Sequence, residues 1–270
     1  MTPDAAHMNY LEPHREAFAL RAENEALRDE LAKLITDRDY LTTTVLPAIE
    51  AEYNLKIGGL EYEAFTLESR VRRARRRVEL AQSYINRNER VLSANIESAL
   101  DDEFSQWQAK IEEMRRCLEE AQAFEQSPRL SATATRELQT LYRQLAKRLH
   151  PDLNPRQPER ERNLWLQVAD AYRDADLEEL RALSLLLDGD PPPASASDAR
   201  SSVLDTLRCR RDELRAHIAR ALALAVHIKT TPPYTLQEKL NDELWLATRA
   251  AELREKVALL KEHCRALGDA

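Results

Sequence analysis

Residues 60–127 contain neither proline nor glycine, and their apolar side chains return every three or four positions. Leu60, Ala64, Leu67, Val71, Ala74, Val78, Ala81 and Ile85 keep this step. It continues through Leu92, Ile96, Leu100, Phe104, Trp107, Ile111, Met114, Leu118 and Ala121. A stretch of this kind has one regular outcome, amphipathic helix. If unbroken it makes a rod on the order of 100 Å long. No helix of that length is stable alone in water, so another helix must cover its stripe. The composition agrees: 4 of 270 residues are Gly and 6% are aromatic, which starves a sheet and excludes a Gly-rich phosphate loop. The expected fold class is all-α: an elongated coiled-coil or helical-hairpin rod, a smaller helical hairpin, then a C-terminal helical hairpin.

The segment before the rod carries a heptad. Leu20, Leu27, Leu34 and Leu41 occupy one position, and Ala17, Asn24, Leu31, Arg38 and Val45 its partner. This is the a/d seam of a coiled coil, with Asn24 as a register-fixing amide and Glu16, Arg21, Glu23 and Arg28 on the flanking g and e positions. The pattern fits a parallel homodimer and an intrachain hairpin equally. In the second case Gly58-Gly59 is the turn that lets residues 15–57 run back along the rod.

Arg70, Arg72, Arg73, Arg75, Arg76 and Arg77 form the strongest basic run. They fill the circumference left free by Val71, Ala74 and Val78, acidic residues lie close by, and no aromatic residues interleave them as a stacking platform would require. The run reads as a solvated or helix-pairing face, with RNA or the ribosome as the lesser alternative. A net charge of −7 argues against a general polyanion binder. Cys117, Cys209 and Cys264 form no Cys-x-x-Cys pair, so neither a zinc module nor a disulfide framework is expected, and a reducing cytoplasm fits. His217, His227 and His263 lack partners at metal-ligand spacing. The longest apolar run, residues 221–226, is too short for a bilayer, and Met1-Thr-Pro-Asp4 has no signal-peptide character. No cofactor, metal or membrane is expected.

The informative segment is Leu141-Tyr-Arg-Gln-Leu-Ala-Lys-Arg-Leu-His-Pro-Asp152. Leu138, Leu141, Leu145, Ala146 and Leu149 make a helical stripe, with Ser131, Thr133 or Thr135 as N-cap. Pro151 disfavours α geometry at His150 and ends the helix. Leu153-Asn-Pro-Arg-Gln-Pro158 is a stiff polar loop. Leu164, Trp165, Val168, Ala171 and Tyr172, extended by Leu177, Leu180 and Leu183, mark the next helix. Residues 131–149 carry a net charge of +3 and residues 159–187 a net charge of −3. A basic helix that ends in a presented His-Pro-Asp suits docking on an acidic protein surface.

This hairpin resembles a J-domain, the signature module of DnaJ-family co-chaperones. Tyr142, Leu145-Ala146, the basic pair before Leu149, and His150-Pro151-Asp152 match the family's second helix. Trp165 and Gln167-Val-Ala-Asp-Ala-Tyr172 match its third. The likeness spans about residues 131–187. It implies binding to an ATP-loaded DnaK-type chaperone and stimulation of its ATPase. Tyr142, Arg143, Lys147 and Arg148 would meet an acidic surface, Asp152 a partner arginine, and His150 with Pro151 would hold the loop, with Asn154 beside the contact. None would be catalytic, and the chain itself is not expected to be an enzyme. Leu153 and Gln144 stand where the family commonly has basic residues. No matching first helix precedes Ser131; the rod's end, through Met114, Leu118, Ala121 and Phe124, is the expected substitute. Gly/Phe-rich and zinc regions are lacking, as in specialised members.

The domains expected are a helical hairpin or coiled coil at 14–126, the J-domain-like module at 127–187, a Pro-rich linker at 188–200 and a C-terminal helical hairpin at 201–268. The favoured function is a co-chaperone whose coiled-coil regions select an unidentified client. The alternative is a coiled-coil scaffold with a degenerate, non-stimulating J-like docking module.

Overall fold

The structure, a computed structural model, describes residues 4–188 and 200–268, with side chains from 15–187 and 203–268. Most of the expected linker at 188–200 lies outside the described residues. Among the described residues the regular structure is entirely helical. In order these are α1 (Asp4–Tyr40), a π-helical turn (Leu41–Val45), α2 (Leu46–Tyr53), a second π-helical turn (Asn54–Gly58), α3 (Gly59–Asn86), α4 (Ser93–Gln126), α5 (Ala132–Leu149), α6 (Glu159–Arg173), α7 (Leu177–Asp188), α8 (Arg200–Thr230), α9 (Leu236–Leu240) and α10 (Glu243–Ala266). They fall into two units, each built from two stretches of chain: residues 1–45 with 128–231, and residues 46–127 with 232–270.

In the first unit, α1 lies along α8 and α5, while α5, α6 and α7 pack on one another. The α1 heptad finds its partner within the chain. Glu16 pairs with Arg208 and Glu23 with Arg215, so both helices advance by seven residues between successive pairs and run parallel. Leu31, Ala32 and Ile35 bury against Leu214 and Ile218, and the Asn24 amide donates to the Leu207 carbonyl at 3.0 Å. The pairing is parallel but lies between two segments of one chain about 190 residues apart, in place of the expected fold-back of residues 15–57 along the rod.

The second unit repeats the device. Glu61 pairs with Arg249 and Glu68 with Lys256, again one heptad apart, which sets α3 and α10 parallel. Ile57, Ala64, Leu253 and Val257 form the seam, followed by Val71, Leu260 and Cys264. The residues expected to form one C-terminal hairpin are thus divided, α8 against α1 and α10 against α3. Leu244 is exposed at the N-terminus of α10, where Asp242 caps the helix through the amides of Leu244 and Trp245.

Two features differ from the uninterrupted rod. Gly58-Gly59 is not a turn. Both residues are right-handed helical, and a Cβ on Gly58 would lie 2.7 Å from Asn54 Oδ1, so this glycine makes room inside a π-helical turn. The reversal comes instead at residues 87–92, where Asn88 adopts φ 54°. Asparagine tolerates this left-handed geometry better than other non-glycine residues. Beyond Val71 the buried face of α3 rotates from α10 toward α4: Leu80, Ala81 and Tyr84 pack on Ile96, Leu100 and Phe104, and Val78 and Ile85 are left exposed. The arginine run lines this hairpin. Arg73 pairs with Glu97 and Asp101, Arg76 with Glu103 and Glu79, Arg77 with Glu97, and Arg72 with Glu68 while lying over the Trp107 ring.

Candidate functional site

The hairpin of α5 and α6 is built as its residues dictate. Ser131 Oγ accepts from the Ala134 amide and starts α5, and His150, with ψ 132°, leaves the helix ahead of Pro151. Leu138, Leu145, Leu149, Val168, Ala171, Leu180, Leu183 and Leu187 share one core with two tyrosines. Tyr142 stacks on Tyr172 with ring centroids 3.9 Å apart, and Trp165 closes the set 5.6 Å from Tyr142. The second helix of the expected pair is broken. Ala175 takes φ 55°, the Asp176 amide bonds back to the Ala171 carbonyl, and α7 folds onto α5, where Arg181 forks onto Glu137. Helices α7 and α1 thus occupy the sides of α5. The end of α4, expected there, belongs to the other unit, where Cys117, Ala121 and Phe124 line a cavity of about 490 Å³ with Pro47, Tyr53 and Leu236.

At the tip, the Asp152 amide donates to His150 Nδ1 at 3.0 Å, so the imidazole keeps its proton on Nε2. His150 is 5% exposed, and its ring meets Trp165 edge-on at 4.7 Å. Burial pushes the His150 pKa down to about 4, against the opposing pull of the Asp152 carboxylate. The Asp152 side chain is 45% exposed, with one carboxylate oxygen 3.9 Å from His150 Nδ1 and the other 3.8 Å from His217 Nδ1. Asn154 caps the end of α5: its Nδ2 donates to the carbonyls of Arg148 (2.7 Å) and Lys147 (3.2 Å), while its own amide donates to the His150 carbonyl. Pro151 is exposed beside it.

The basic residues divide by face. Arg143 is exposed. Arg148 is half-buried and donates to the Leu187 carbonyl at the end of α7. Lys147 reaches Glu25 and Asp29 of α1, each at 2.6 Å, and the hydrogen bonds it donates to Asp29 and then Glu25 raise its pKa. Tyr142 is only 2% exposed. Its hydroxyl donates to Asp39 Oδ2 at 2.6 Å, and burial, reinforced by that carboxylate, raises its pKa. The eight expected residues are therefore gathered along α5 and its tip, but Tyr142, Lys147 and Asn154 are engaged by α1.

Several participants were not legible beforehand. Arg28 on α1 donates to Asn154 Oδ1 (3.1 Å) and to the Lys147 carbonyl. Leu153, 1% exposed, sits among Leu31, Ile35, Leu214 and Ile218, and Arg210 of α8 donates to its carbonyl. The i, i+4 spacing of Glu25 and Asp29 marks them as one acidic face, but nothing local pairs that face with Lys147. No group of three or more metal-ligating side chains is gathered among the described residues, and no helix there is long and apolar enough to cross a membrane. No protein-family model, curated protein or solved structure matches the chain.

Proposed function

We propose that the protein is a J-domain-type co-chaperone that recruits a DnaK-type chaperone and stimulates its ATPase at a client chosen by its paired long helices. The observation that carries this reading is the tip of α5. A half-exposed Asp152 carboxylate stands on a loop whose amide is tied to His150, at the end of a basic helix capped by Asn154. That arrangement presents one carboxylate in a fixed position beside cationic side chains, which suits docking and not chemistry. The helix order and core of α5 and α6 support the resemblance, and three cysteines without disulfide partners suit a reducing cytoplasm.

The test is steady-state ATP hydrolysis by a purified DnaK-type chaperone titrated with the native protein and with Asp152→Asn. Stimulation is expected to fall at least about tenfold in the variant, the loss of a charged docking contact. Its thermal midpoint should stay within the range of an ordinary surface substitution. Equal and negligible rates from both proteins would instead favour a scaffold with a non-stimulating J-like module.

A further inference from the structure

We propose that α1 and α8 form an autoinhibitory cover on the docking face of α5, with α1 standing in for the acidic surface of the partner. The inference rests on the co-chaperone reading above. The cover reaches most of that face: Asp39 holds the Tyr142 hydroxyl, Glu25 and Asp29 hold Lys147, Arg28 holds Asn154, and His217 approaches Asp152. Glu25, Asp29 and Asp39 project within about 80° of one another around α1, so they form a single acidic stripe. An ammonium already shared by two carboxylates cannot also pair with an external acidic surface, so docking and cover compete for the same groups.

Leu153 anchors the arrangement. It follows Asp152 directly and is buried to 1% exposure in the seam between α1 and α8, at a position where a residue presented to a partner would be free. The remaining attachments are polar: the Tyr142–Asp39 hydrogen bond is buried, and the Lys147 pairs lie at the edge. Glu25 and Asp29 are more than half exposed, so each pair is screened and individually weak. A cover held by one apolar anchor, one buried hydrogen bond and a few exposed ion pairs can open, and apparent affinity for the chaperone is then scaled down to the fraction of molecules that are open.

The test uses the full chain carrying Glu25→Lys with Asp29→Lys, and separately Arg28→Ala, which removes only one guanidinium. Two quantities are read: the concentration giving half-maximal ATPase stimulation, and hydrogen exchange at the amides of residues 25–35 and 150–154. The expected result is about a five- to tenfold lower half-maximal concentration. Exchange should be faster at both sites, and adding Asp152→Asn should abolish stimulation. Adding Lys147→Glu to the double-lysine variant should restore protection from exchange, which a merely loosened fold would not do. Unchanged exchange in both variants overturns the cover. Faster exchange without any gain over a native protein that already stimulates through Asp152 overturns its inhibitory role and leaves the co-chaperone reading standing. Faster exchange with no stimulation by any form overturns the co-chaperone reading, and the inhibitory role with it.

Discussion

At the residue scale, three groups on α5 and the ends of α5 and α6 have measurable consequences. Tyr142 combines ring burial with a hydrogen bond to Asp39, a carboxylate that is itself only 14% exposed. Tyr142→Phe keeps the ring and takes one partner from the carboxylate, which retains Arg38 on its other oxygen, and should cost about 1 kcal/mol in urea unfolding at pH 7. His150 is neutral in the folded chain with a pKa near 4, against an ordinary value of 6.5. Between those values the unfolded chain binds a proton that the folded chain refuses, so stability falls as pH drops through this window. The loss should be on the order of 1–3 kcal/mol, read as a smaller drop in urea midpoint between pH 7.5 and 4.5 for His150→Gln than for the native chain. Ala175 holds a left-handed conformation that its Cβ disfavours. Ala175→Gly should therefore raise stability by about 0.5 kcal/mol, the relief of strain exceeding the added freedom of the unfolded chain. His150-Pro151-Asp152 could be read in advance because proline sterics and helix capping act over a few residues. The αL residue at 175 could not, because alanine carries no signal for it.

At the scale of elements, heptad patterning was readable and the choice of partner was not. A seam of leucines with flanking Glu and Arg specifies a parallel neighbour, but any segment with a matching stripe satisfies it. Helix α8 does so for α1, and α10 does so for α3. Asn24 shows the cost of specificity: its amide reaches the Leu207 carbonyl, while its own carbonyl oxygen is buried without a partner in the structure. Asn24→Leu should raise the denaturation midpoint by the equivalent of about 1 kcal/mol, with helicity unchanged. The arginine run belongs at this scale as well. Its cations are distributed over carboxylates of α3 and α4, several of them strongly exposed, so the hairpin they line should lose little when salt is added.

At the scale of the whole molecule, each unit is closed by chain that returns from far away. Helix α10 covers the stripe of Ile57, Ala64 and Val71 that α3 cannot bury alone. A chain ending at Thr231 should therefore lose more helicity by circular dichroism than the deleted residues account for, because α3 is left without its seam. The sequence by itself determined the helices, most of their buried faces, the stop at His150-Pro151-Asp152 and the basic character of α5. These follow from propensity, periodicity and local sterics, which act over one or two turns. Only the tertiary structure decided the reversal at Asn88, the pairing of α1 with α8 and of α3 with α10, and the burial of Leu153. Those outcomes depend on which apolar stripes, separated by nearly two hundred residues, fit together with least exposed surface, and no local pattern records that competition.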